Sequence, residues 1–188
     1  MKVLAVSGSL RRDSHNTSLL RAAEELVPAD VELELWDGLK AVPPYDEDDD
    51  VDPAPEPVAR LRTAIFGADA VLFATPEYNS SVPGQLKNAL DWVSRPLATN
   101  VLRNKPVAVV GASTGAFGAV WAQAELRKIL AATGARVLEA QLAVGHAPTR
   151  FEGGGLVDDE IRAQLAAVVD DLVTEARARD ELLARAAA

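Results

Sequence analysis

The chain has 188 residues, 48% of them hydrophobic and 25% charged, the composition of a globular domain able to bury its own core. It contains no cysteine, which excludes disulfides, thiolate nucleophiles and Cys-ligated zinc or iron–sulfur clusters, and suits a reducing cytoplasm. A net charge of −9 argues against nucleic-acid or anionic-membrane binding, and no apolar run reaches the roughly 18 residues of a membrane span.

The first element is a strand, VLAV at 3–6, whose apolar run is too short for a secretory signal. A helix follows near 16–27. VELELW (31–36) alternates Val31, Leu33 and Leu35 with Glu32 and Glu34, as an edge strand with one solvated face should. The acidic stretch YDEDDDVDPAPEP (45–57) reads as a solvated, proline-stiffened loop. Asp46, Asp48 and Asp50 have the spacing that opens a calcium loop, but Val51 stands where that loop needs glycine and Pro57 where it needs a bidentate glutamate. Helices near 57–67, 84–94 and 118–132 then alternate with the strands AVLFA (70–74), VAVV (107–110) and VLEAQLAV (137–144). A final amphipathic helix, roughly 158–184, carries Ile161, Leu165, Val168, Leu172 and Val173 on one stripe.

Five βα units over residues 1–188, with no repeat and no Ser/Gly linker, predict a single α/β domain: a three-layer, flavodoxin-like sandwich with a parallel sheet in the order 2-1-3-4-5. Ligands of such folds bind beyond the carboxyl ends of the strands, at the point where strand order reverses. The loops after strands one, three and four are therefore the ones to read for chemistry.

The first, SGSLRRDSHNTS (7–18), is dense in hydroxyls and amides, holds two arginines and runs into a helix, which suits a phosphate. It is neither a P-loop nor a G-x-G-x-x-G turn, although Asp37 sits at the end of strand two where a ribose-binding acid would be. Helix capping by Ser14 or Asn16 accounts for one of its polar residues only. The loop after strand four, GASTGAFGA (111–119), has Gly111, Gly115 and Gly118 for close backbone approach and positive φ. It contains G-x-S-x-G around Ser113, the pattern of a serine-hydrolase nucleophile. The partners that chemistry needs are poorly supplied, with His146 as the one downstream histidine and Glu125 or Glu139 as awkward acids. The third loop, TPEYNSSVPG (75–84), places Glu77, Tyr78 and Asn79 at its tip, while Ser80 or Ser81 could cap the following helix. Taken together, the loops describe a ligand with a phosphate at one end and a flat ring at the other, against which Tyr78 or Phe117 could lie. FMN has that form.

GSLRRDSHN (8–16), TPEYNSSVPGQLKNALDWVSRP (75–96) and GASTGAFGAVWAQAELRKIL (111–130) resemble the NADPH-dependent FMN reductases, flavodoxin-like flavoproteins that include quinone, azo-dye and chromate reductases. The resemblance runs from residue 2 to about residue 145 and is most specific in the PEYN…PG-LKNA-DW string. It implies FMN held by its phosphate at Ser9, Arg11, Ser14, His15, Asn16 and Thr17. The ring would rest against Pro76, Glu77, Tyr78 and Asn79 on one side and Ser113 and Gly115 on the other. It also implies a homodimer or tetramer with part of its interface at Asp91, Trp92 and Arg95, and departs from many relatives at Trp121, near which they carry an arginine.

The activity implied is hydride transfer from NADPH or NADH through FMN to a small acceptor, a quinone, azo compound, flavin or metal oxyanion, in a ping-pong cycle at one open face. No side chain need act as acid or base, no metal is called for, and the enzyme would be cytoplasmic. The reading in a different class is a flavodoxin-type electron carrier, which the acidic charge also fits; a Ser113 hydrolase is the third. A phospho-receiver is excluded because Ser7 and Thr75 end their strands without the required acids.

Overall fold

The computed structural model describes residues 1–187. Five strands, β1 (Lys2–Ser7), β2 (Glu32–Trp36), β3 (Ala70–Thr75), β4 (Pro106–Ala112) and β5 (Arg136–Val144), form one parallel sheet in the order β2-β1-β3-β4-β5, as the alternation of elements predicts. Every residue of β3 and β4 is buried, which is why their sequences are continuously apolar. β2 alternates exposed glutamates with buried Leu33 and Trp36, as an edge strand does.

Five helices cover the sheet: α1 (His15–Glu24), α2 (Glu56–Phe66), α3 (Gly84–Val93), α4 (Val120–Ala132) and α5 (Asp159–Ala187). Leu19, Leu20, Leu165, Val169 and Leu172 of α1 and α5 pack on one face against Val3, Leu72 and Val110. Val58, Ile65, Leu86, Trp92, Leu126 and Leu130 of α2, α3 and α4 pack on the other against Leu4, Phe73 and Val109. A short antiparallel pair, Phe151–Glu152 with Gly155–Leu156, precedes α5 where no strand is expected from the residue pattern.

Two expectations for the third loop and α3 are corrected. Neither Ser80 nor Ser81 caps α3: its N-cap is Pro83, with no side-chain bond, and the Ser81 hydroxyl instead donates to Glu125 Oε2 at 2.8 Å. Trp92 cannot be a subunit contact because it is completely buried, with its indole N–H donating to the Pro43 carbonyl at 2.9 Å. Asn88 bonds Tyr45 N and Pro43 O, and Gln85 Nε2 reaches the carbonyls of Leu39 and Val42. The specific Q-x-x-N-x-x-x-W spacing is thus a latch: residues three or four apart share a helix face, and this face satisfies the backbone of segment 39–45. Asp91 pairs with Lys87, and Arg95 lies over the Tyr45 ring at 5.9 Å.

At the opposite end of the sheet Lys105 is buried, with its ammonium donating to the carbonyls of Phe66, the last residue of α2, and of Ala68 just beyond it. Burial, and then the Arg179 charge, lowers its pKa to about 8 from the ordinary 10.5. Between those values the unfolded chain holds a proton that the folded one has released, so this group makes the fold more stable as pH rises through that window. The urea midpoint of the wild type, measured against that of Lys105→Met, is therefore expected to rise from about pH 8 to about pH 10.

Candidate functional site

The carboxyl ends of β1, β3 and β4 lie side by side, and the loops leaving them enclose a cleft of about 300 Å³. The first loop is anchored by Gly8, whose N–H donates to Ala74 O at 2.8 Å. Ser14 then caps α1, accepting from Thr17 N at 3.3 Å while keeping its own proton to donate. The N–H groups of His15 and Asn16, at the start of a ten-residue helix with no acid in its first turn, have no intrahelical acceptor. They open toward the cleft with the positive end of the helix dipole.

Asn16 differs from its sequence expectation in one respect. Its side chain is buried and wholly committed, Nδ2 donating to Ala112 O and Oδ1 accepting from Ala112 N, both at 2.9 Å. It clamps α1 to the end of β4, and only its backbone N–H remains for a ligand. Thr17 is likewise spent on Ser7 Oγ at 2.9 Å and stands outside the cleft lining.

The third loop is a tight turn. Tyr78 and Ser81 exchange both backbone hydrogen bonds at 3.1 Å, and Asn79 and Ser80 between them have φ of 53° and 59°, the type I′ geometry that favours asparagine. Asn79 is therefore explained by the turn, and its exposed side chain is not among the lining groups. Pro76 and Tyr78 face the cleft. Glu77 reaches across it: its Oε2 accepts from Trp121 N at 3.0 Å and Ala122 N at 3.1 Å. α4 has Ala119 at its N-cap and no capping side chain of its own, so a carboxylate from the opposite wall supplies the cap.

The fourth loop is fixed from behind by the turn after β5. Ser113 N donates to Val144 O, Ala147 N to Ser113 O, and His146 N to Gly115 O, all within 2.9–3.0 Å. Of the three glycines expected to need freedom, only Gly118 has positive φ, at 59°. Gly115 has open space around it; its carbonyl takes the His146 bond, and it does not line the cleft. Ser113, with Ala112 and Thr114, does. The Ser113 hydroxyl turns back to Gly115 O at 3.3 Å and meets no histidine or carboxylate, so the hydrolase reading lacks its base.

His15 stacks at 5.5 Å on Phe151, a partner the sequence did not suggest. Burial, and then the Arg11 charge, lowers its pKa below the usual 6.5. A phosphate against it would raise that pKa again, so binding takes up a proton. Flavin affinity of the wild type, relative to His15→Gln, is expected to tighten as pH falls from about 8 to about 6; titration of apoprotein with FMN reads this directly. The phosphate's own protonation is common to both proteins and cancels.

The residues present fit FMN. One end offers Ser9, Ser14, Arg11 and free helix N–H groups to a phosphate; the other offers Pro76, Tyr78 and the main chain of 112–114 to a flat ring. Among the described residues no group of three or more His, Asp or Glu could hold a metal ion, and no helix is long and apolar enough to cross a membrane.

Comparison with known proteins agrees with this donor set. The family model of the NADPH-dependent FMN reductases matches residues 1–149. An NAD(P)H-dependent FMN reductase of Pseudomonas aeruginosa is 43% identical over 164 residues, covering 86% of this chain and 88% of its own. A 2-hydroxy-1,4-benzoquinone reductase of a Burkholderia species is 38% identical over 181 residues, covering 95% and 98%. FerB, a flavoenzyme NAD(P)H:(acceptor) oxidoreductase from Paracoccus denitrificans, superposes with a TM-score of 0.85 at 37% identity over 95% of this chain and 98% of its own. Matched by the family model over residues 1–149 and by these relatives over most of its length, the chain belongs to the NADPH-dependent FMN reductase family and is an enzyme that uses FMN and NAD(P)H.

Proposed function

We propose that the enzyme reduces quinones, with azo compounds, free flavins and metal oxyanions as further acceptors of the same open site, and that donor and acceptor take turns in a ping-pong cycle. Bound there, FMN would supply the two-electron chemistry that links hydride donation by NAD(P)H to reduction of a quinone to its hydroquinone, with protons from solvent. The protein's part is to hold and to shape. Arg11, the hydroxyls of Ser9 and Ser14, the His15 ring, and the N–H groups of His15 and Asn16 fix the phosphate. Pro76, Glu77 and Tyr78 form one edge of the ring's seat, and Ala112, Ser113 and Thr114 the other.

The observation that carries this reading is the character of the cleft's mouth. Tyr78, Phe117 and Trp121 are each about half exposed or more, with Phe117 and Trp121 packed edge to face at 5.0 Å. Flat apolar surface beside an open cleft suits a second planar reactant, whereas an electron carrier shields its flavin. The same patch suits a second copy of the chain, in keeping with a homodimer or tetramer, and molar mass by light scattering reads that state.

The deciding experiment is optical. Protein reconstituted with FMN should absorb at about 375 and 450 nm. The bands should bleach when NADPH is added without oxygen and return when a quinone follows. Flavin that binds but does not bleach means a carrier. Initial rates should give parallel double-reciprocal lines; intersecting lines would overturn the ping-pong order.

A further inference from the structure

The loop carrying Ser9 and Arg11 has a second face. Behind it, toward β2, lies a separate groove of about 270 Å³ whose walls share Ser9 and Arg11 with the flavin cleft. Arg12, Arg21 and Lys40 line this second groove alone, and Asp37 stands among them. Four cations thus meet one carboxylate on a protein whose net charge is −9.

These cations are unusual here in being free. Among the described residues none of Arg11, Arg12, Arg21 and Lys40 makes an ion pair or a side-chain hydrogen bond, although most other basic residues do, from Arg62 with Asp50 to Arg177 with Asp30. Like charges gathered around a concavity repel one another and raise the local concentration of anions. The groove's far wall is also firmly built. A Cβ added at Gly38 would meet the buried Trp36 ring at 2.5 Å, so the turn carrying Asp37 and Lys40 lies directly on the indole.

The mix of groups specifies the ligand. Guanidinium and ammonium groups together match a phosphate monoester. An arginine near the end of β2 is placed to accommodate a 2′-phosphate, as in dinucleotide-binding folds, and the carboxylate beside it can accept from the 3′-hydroxyl that such a ribose keeps. Leu10 and Leu35 add apolar wall. We propose that this groove binds a ribose-borne phosphate monoester, either the adenosine 2′-phosphate end of NADPH or a free nucleotide of the same chemistry. Arg12, Arg21 and Lys40 hold the phosphate and Asp37 the sugar. The NADPH form of the inference rests on the oxidoreductase reading above and makes these residues the determinants of NADPH over NADH.

The test uses the FMN-loaded enzyme and its Arg21→Ala/Lys40→Ala variant, both substitutions being at exposed positions outside the flavin cleft. Adenosine 2′-monophosphate, titrated by calorimetry, should bind the wild type and lose about tenfold to a hundredfold in the variant, with flavin content unchanged. If the KM for NADPH rises by a similar factor while that for NADH stays put, the groove serves the electron donor. If nucleotide binding falls and neither KM moves, it holds a free nucleotide. A wild type that does not bind the nucleotide, or a variant that binds it equally well, overturns the proposal. Failure of the reductase reading would show separately, as a flavoprotein that oxidises neither NADPH nor NADH.

Discussion

Gly118→Ala is expected to cost about 2–5 kcal/mol of stability and most of the enzyme's affinity for flavin. Two independent terms add. At φ 59° an alanine pays the left-handed penalty of about 1–2 kcal/mol. Its Cβ would also sit inside the contact distance of Ala143's backbone and 2.5 Å from Val144 N, where no flexible side chain can give way. Overpacking of this kind costs about 1–3 kcal/mol. The strain is relieved only by lifting the 113–118 loop from the turn after β5, which breaks the Ser113–Val144, Ala147–Ser113 and His146–Gly115 hydrogen bonds. Because Ser113 and Thr114 line the cleft, the displacement reaches the flavin's seat. Urea denaturation of apoprotein reads the first effect and FMN titration the second. Gly115→Ala is the control: that position has open space, so little change is expected.

The contrast between these two glycines shows what the sequence could carry. Local rules found the elements. Continuous apolar runs gave β1, β3 and β4, and alternation marked β2 as an edge. The hydroxyl-rich first loop was legible because helix capping and dipole chemistry act within a few residues. Long-range pairings left no such trace. Gly118 looks like Gly115 in sequence, and only the backbone of β5, some 25 residues on, makes one indispensable. The family resemblance implies an interface at Trp92; the specificity of its string belongs instead to an internal latch on Pro43, 49 residues away. Asn79, assigned to the flavin's edge, satisfies a turn whose I′ type follows from backbone twist rather than from ligand chemistry.

Replacement of Glu77 gives the second large effect. Its carboxylate belongs to the wall after β3 and caps the helix that begins the wall after β4, so one side chain sets the distance between the two. A second tie, from Ser81 to Glu125, runs parallel to it. Glu77→Ala removes a charge-assisted cap from α4, which has no other side chain at its N-cap, and is expected to cost about 1–2 kcal/mol of stability. A carboxylate that acted only as a cap would stop there, leaving flavin affinity intact. Replacing one that spaces the walls should also weaken FMN binding, by about tenfold, since preorganisation lost from the cleft must be restored at the expense of binding energy. Glu77→Gln separates the two contributions. The amide oxygen still accepts from Trp121 and Ala122, so flavin affinity should largely recover, while the loss of charge against the helix dipole leaves part of the stability deficit. A Gln variant as poor in FMN binding as the Ala variant would mean that the charge, not the bridge, is what the flavin site requires.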